Sequence, residues 1–90
     1  MIISIEEARE TLRLDGDDND IIIIPLLNAI PSYLHEVTGY VYEGDASPLA
    51  RTVANFILRL WYNPDGQDTD RLKRTIESLL VALTATVRNG

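Results

Sequence analysis

The stretch SPLARTVANFILRLWYN, residues 47–63, constrains the fold more than any other part of the chain. Serine followed by proline reads as a helix start. The Ser47 hydroxyl can accept from an orphan backbone N–H, and Pro48 at the first helical position gives up only an N–H that had no partner. Leu49, Val53, Phe56, Ile57 and Leu60 then form an apolar stripe at helical spacing, which Ala50, Ala54, Leu58 and Trp61 widen. Little polar surface is left, so the rest of a small domain must cover this helix on most sides. Arg51, Asn55 and Arg59 recur at every fourth residue and mark the narrow face expected to reach solvent or a partner.

Ninety residues make one domain, 1–90, and at this size folding buries only about 60% of the unfolded chain's surface. A core of that size holds a few helices with little stability to spare, and many such chains gain the rest by assembling. Hydrophobic residues at 46% and charged ones at 24% argue against disorder. The formal charge is −6, from 14 acids against 8 bases, with Lys73 the single lysine. That balance disfavours tracking a nucleic-acid backbone, which needs clustered cations. A helix-turn-helix reading would need a basic recognition helix. Its sole candidate, residues 70–74, has three bases but leads into a helix that is otherwise mostly apolar and polar-neutral.

The absence of cysteine removes disulfides and thiolate metal sites and suits a reducing compartment. Residues 1–12 lack the basic start and long apolar run of a secretory signal. The longest apolar stretch, residues 21–27, is interrupted by Pro25 and is shorter than the ~20 residues that cross a bilayer. A soluble chain with no membrane contact is expected.

Ser4-Ile5-Glu6-Glu7 reads as a capping box, in which Ser4 caps the helix and Glu7 reaches back to the Ser4 N–H. Ile3 against Ala8 would be the accompanying staple. Ile5, Ala8 and Leu12 give a short amphipathic helix, acidic in its first turn and basic later, as the helix dipole prefers. The acidic turn that follows places Asp15, Asp17 and Asn19 at the first, third and fifth positions of a calcium loop. The sixth position is Asp20 instead of glycine and the twelfth is Leu26 instead of glutamate, so helix capping is the better reading.

A second helix is expected from about Asn19 to Thr38, closed by Gly39 as a left-handed cap. Its core stripe is Ile23, Leu26, Leu27, Ile30, Leu34 and Val37. Pro25 and Pro31 fall inside it and each removes a hydrogen bond, which predicts a bent helix or an irregular first turn. Four consecutive isoleucines, Ile21 to Ile24, sweep about 300° of a helix and cannot all face one core. Either the first helix or a neighbouring subunit must cover the far side. His35 reads as an ordinary, partly exposed residue. Tyr40, Val41 and Tyr42 are expected to pack over the helix junction, and Trp61 to pack in the core or at its helix end. A last helix begins near Asp70 with the stripe Leu72, Ile76, Leu79, Leu80, Leu83 and Val87. The fold class is therefore all-α, a small bundle of about four helices, one short and three longer.

The chain shows no phosphate-cradling glycine loop, no His–Glu–His metal spacing and no nucleophile elbow. No enzyme activity, cofactor or metal is expected.

The order of these signals resembles a known family. Ile3-Ser4-Ile5-Glu6-Glu7-Ala8 opens a short helix ending in Leu12-Arg13-Leu14-Asp15. An acidic turn follows and leads into a long helix that finishes Tyr33-Leu34 and then Thr38-Gly39. A third helix ends in Leu60-Trp61-Tyr62-Asn63, and a leucine-rich one closes at Arg88. Across almost its whole length this resembles the head–tail connector, or adaptor, proteins of tailed bacteriophages, formerly grouped as DNA-packaging proteins. The likeness implies a structural virion protein that forms a ring of about twelve subunits. Such a ring docks under the portal protein at the head–tail junction, extends the DNA channel, and meets a downstream stopper or tail-completion protein. It also implies assembly in the host cytoplasm and passage of DNA without specific binding. Pro25 and Pro31 depart from the regular second helix of that family.

On this reading, subunit contacts are expected at Ile21, Ile22 and Ile24 with the outward arginines Arg51 and Arg59. Portal or partner contacts are expected at the end of the last helix, Thr84, Thr86 and Arg88. The alternative is a small acidic helical regulatory module that binds a host or phage protein through a groove near Tyr40, Tyr42 and Tyr62.

Overall fold

The computed structural model describes residues 1–87 with their side chains and the backbone of 88 and 89. Four helices follow in order: α1 (Ile5–Leu12), α2 (Asp20–Thr38), α3 (Pro48–Tyr62) and α4 (Thr69–Asn89). No strand occurs among the described residues, and the all-α bundle expected from the periodicities is what forms.

Both ends of α1 are closed locally. Ser4 Oγ accepts from the Glu7 N–H at 3.1 Å, and Glu7 Oε1 accepts from the Ser4 N–H at 3.4 Å, completing the capping box. At the far end Arg13 takes a left-handed conformation, φ 58°. Its N–H donates to the Glu10 carbonyl at 3.1 Å, and the Leu14 N–H donates to the Arg9 carbonyl at 2.8 Å. These two bonds are the Schellman pair that satisfies carbonyls otherwise orphaned at a helix end. Glycine is the usual residue at that position, and here it is an arginine.

α2 runs unbroken through both prolines, with Gly39 closing it at φ 79°. Its buried side chains are Ile23, Leu27, Ile30 and Leu34, a seam at helical spacing. The expected stripe was too long at its end: Val37 stays 42% exposed. It lies in the last turn and at the edge of the buried arc. Because Pro25 does not interrupt the helix, the apolar segment is longer than the sequence suggested. By length and composition alone α2 could cross a membrane. One face of it is nevertheless committed to the core of the bundle.

α3 is the central helix and packs against each of the others. Ser47 Oγ accepts from the Ala50 N–H at 3.2 Å with Pro48 at the first position, and Ala50, Val53, Ala54, Ile57 and Leu58 are buried. Trp61 is half-buried at the end of α3 and meets the Tyr33 ring edge-on, centroids 5.5 Å apart at 78°. From α4, Ile76 and Leu83 are buried and Leu79, Leu80 and Val87 pack against the cluster, whereas Leu72, expected in the same stripe, is only half-buried and stands outside it. Ile2, Ile3 and Ala8 close it at the N-terminal end.

The loop after α2 behaves differently from expectation. Tyr42 is buried, but Tyr40 and Val41 are exposed, with Tyr40 resting on the Tyr42 ring at 5.0 Å. Tyr42 fills the core position, and Tyr40 covers its ring from the solvent side and stays outside the core.

Candidate functional site

The polar face of α3 does not point to solvent along its whole length. α1 lies across it in parallel register. Arg51 donates to both carboxylate oxygens of Glu7, at 2.6 and 2.5 Å, and to the Ile2 carbonyl at 2.9 Å. One turn on, Thr11 Oγ1 donates to Asn55 Oδ1 at 2.9 Å, while Asn55 Nδ2 donates to the Arg51 carbonyl at 3.0 Å. The expectation of Arg51 as an outward arginine is thereby corrected, since its guanidinium is half-buried between α1 and α3. Next in the series, Arg59 lies past the reach of α1, which ends at Leu12, and it is exposed. Its guanidinium sits 5.7 Å from the centroid of the Phe56 ring, a cation–π distance.

Hydrogen bonds from Arg51 hold the Glu7 carboxyl below its ordinary value; partial burial opposes this, and the Ser4 N–H adds to it. A second ion pair ties the start of α2 to α1. Arg9 Nε donates to Asp20 Oδ1 at 3.1 Å, and a second guanidinium nitrogen donates to Oδ2. This pairing with Asp20 holds Arg9 more firmly in its charged form.

Where α1, α3 and the α3–α4 turn meet, they leave an open groove of about 1040 Å³. Leu12, Phe56 and Leu72 supply apolar walls, Ile22 stands at one edge, and Arg13 and Arg59 bring charge to the rim. Neither arginine has an ion-pair partner among the described residues. The sequence signal for this groove is faint, because its lining comes from four separate segments.

Of the expected subunit-contact residues, Ile21, Ile22 and Ile24 are exposed by 82%, 54% and 40%. Only Ile23 of the run is buried, so α1 does not cover the far side. Thr84 is half-buried and Thr86 is exposed. Thr86 Oγ1 donates to the Ala82 carbonyl at 3.0 Å. The Arg88 side chain lies outside the described residues. Tyr40 and Tyr42 line a smaller cavity of about 350 Å³ with Leu83, Thr86 and Val87, whereas Tyr62 lines the larger groove. The three tyrosines expected to share one groove are therefore divided between two. Among the described residues, no three His, Asp or Glu side chains converge as a metal site.

No protein-family model, no curated protein and no solved structure matches the chain.

Proposed function

We propose that this chain is the subunit of a ring-forming head–tail connector of a tailed bacteriophage. In this role it docks beneath the portal, extends the DNA channel and meets a downstream tail-completion protein. The observation that carries the reading is the exposure of Ile21, Ile22 and Ile24 on the first turns of α2. Apolar surface gathered on one element of so small a domain favours contact with another chain. The motif order supports the same reading, from the capping box of α1 through the Thr38-Gly39 end of α2 to the Trp61-Tyr62-Asn63 end of α3. The net charge of −6 suits a channel through which DNA slides without sticking.

The test is Ile22→Asp and Arg59→Glu, each assayed by sedimentation and by joining of tails to filled heads. Both variants should stay folded and lose assembly. Folded variants that assemble and join tails as the parent does would overturn these contact assignments; a parent that stays monomeric beside the portal and joins no tails would overturn the proposal itself.

The second reading, a regulatory module, rests on the cavity between the Tyr40–Tyr42 loop and α4. It calls for a monomer or dimer whose partner binding is lost in Tyr40→Ala and unaffected by Ile22→Asp.

A further inference from the structure

The groove of about 1040 Å³ is walled by α1, α3 and the α3–α4 turn and meets α2 only at Ile22, while Ile21 and Ile24 are exposed elsewhere on that helix. Ile22 stands at the groove's edge. At about 100° per residue, Ile21 and Ile24 project roughly 100° and 160° round α2 from it. The molecule thus carries two adjoining unpartnered surfaces that point in different directions from α2. Leu12, Phe56 and Leu72 give the first its apolar walls, and its rim holds Arg13 and Arg59 against the single carboxylate of Asp68. Ile21 and Ile24 belong to the second, directly after an acidic turn in which Asp15 and Asp18 are exposed and form no ion pair among the described residues. Asp17 in that turn also bears on Arg9.

Each surface has what the other lacks. A cationic rim over apolar walls matches an acidic segment followed by isoleucine, and in a chain of net charge −6 this groove is an exception to the prevailing sign. We infer that the groove is the acceptor for a second copy of this chain, taking the acidic turn and the Ile21/Ile24 face of its neighbour. The contact is head-to-tail, because donor and acceptor are different surfaces, and head-to-tail contacts close into rings when the rotation per subunit permits. Arg13 sharpens the point. It holds a left-handed backbone that glycine would adopt at lower cost, and it brings a guanidinium to the rim. This inference rests on the ring reading and specifies which surfaces meet.

The experiment is a charge-swap cycle on the full chain, read by sedimentation velocity and native mass spectrometry. Arg13→Glu with Arg59→Glu reverses the groove; Asp15→Lys with Asp18→Lys reverses the turn. Each doubly substituted chain alone should self-associate at least tenfold more weakly than the parent, and an equimolar mixture should recover assembly. Arg13→Gly is the variant that folding cannot confound, and it should weaken association while circular dichroism and thermal unfolding show an intact bundle. If the parent assembles and these variants assemble equally well, the groove is not the acceptor and the ring reading survives. If the parent stays monomeric at every concentration and beside the portal, the ring reading falls and this inference with it.

Discussion

Arg51 of α3 holds Glu7 of α1 through both carboxylate oxygens, at 2.6 and 2.5 Å, and the same guanidinium reaches the Ile2 carbonyl. Glu7 also completes the capping box of its own helix with Ser4. One carboxylate therefore closes the start of α1 and fastens that helix to the centre of the bundle. An eight-residue helix is too short to be stable alone, so α1 depends on this seam and on the burial of Ile2, Ile3 and Ala8.

Arg51→Ala should lower stability by about 1 kcal/mol, the size expected for a partly exposed, charge-assisted pair. Equilibrium urea unfolding checks the value. Arg51→Ala and Glu7→Gln together should cost less than the sum of the two, since they remove one shared interaction.

The same pair gives the bundle an acid sensitivity. The folded-state value of Glu7 lies below the ordinary 4.5, so the unfolded chain takes up its proton first as pH falls. The stabilisation is complete above that ordinary value and fades as pH drops through the lowered folded one. Stability of the parent and of Glu7→Gln, measured from neutral to acid pH, should differ at neutrality and converge in acid. A difference that persists at the lowest pH would assign the effect to packing.

Arg13→Gly should stabilise the monomer by about 0.5–1 kcal/mol, because a left-handed backbone is strained for a residue with a Cβ and free for glycine. Thermal unfolding of the dilute protein reads this directly. Paired with weaker assembly, the gain would show that the arginine is kept for its charge.

Tyr42 is buried to 6% exposure and its hydroxyl has no hydrogen-bond partner among the described residues. A buried hydroxyl left unpaired is destabilising, so Tyr42→Phe should raise stability by about 1 kcal/mol. Loss of stability in urea unfolding would mean that the hydroxyl is satisfied.

Helix ends were the most legible part of the sequence, except at the start of α2, where Asn19 makes no side-chain cap bond and Asp20 pairs with Arg9 instead. Ser4 with Glu7, Ser47 with Pro48, and Gly39 each act within a turn, and local chemistry decides them. The wide stripe of α3 likewise announced a central helix. Arg51 and Arg59 show where that reasoning stops. They share a face and a residue type, yet one is gripped by Glu7 and the other is exposed, because α1 ends before it reaches Arg59. That difference is set by pairing across some forty positions of chain. Val37 stays exposed for a related reason: periodicity names a face but does not say where the neighbouring helices stop covering it. The groove lay beyond sequence reasoning because its walls converge only when four segments fold.

Native mass spectrometry across a concentration range, with the protein alone and then with its cognate portal, decides whether the chain is a ring subunit. A connector subunit gives a closed ring of about a dozen copies, free or seated on the portal. A monomer or dimer that ignores the portal at every concentration would contradict it.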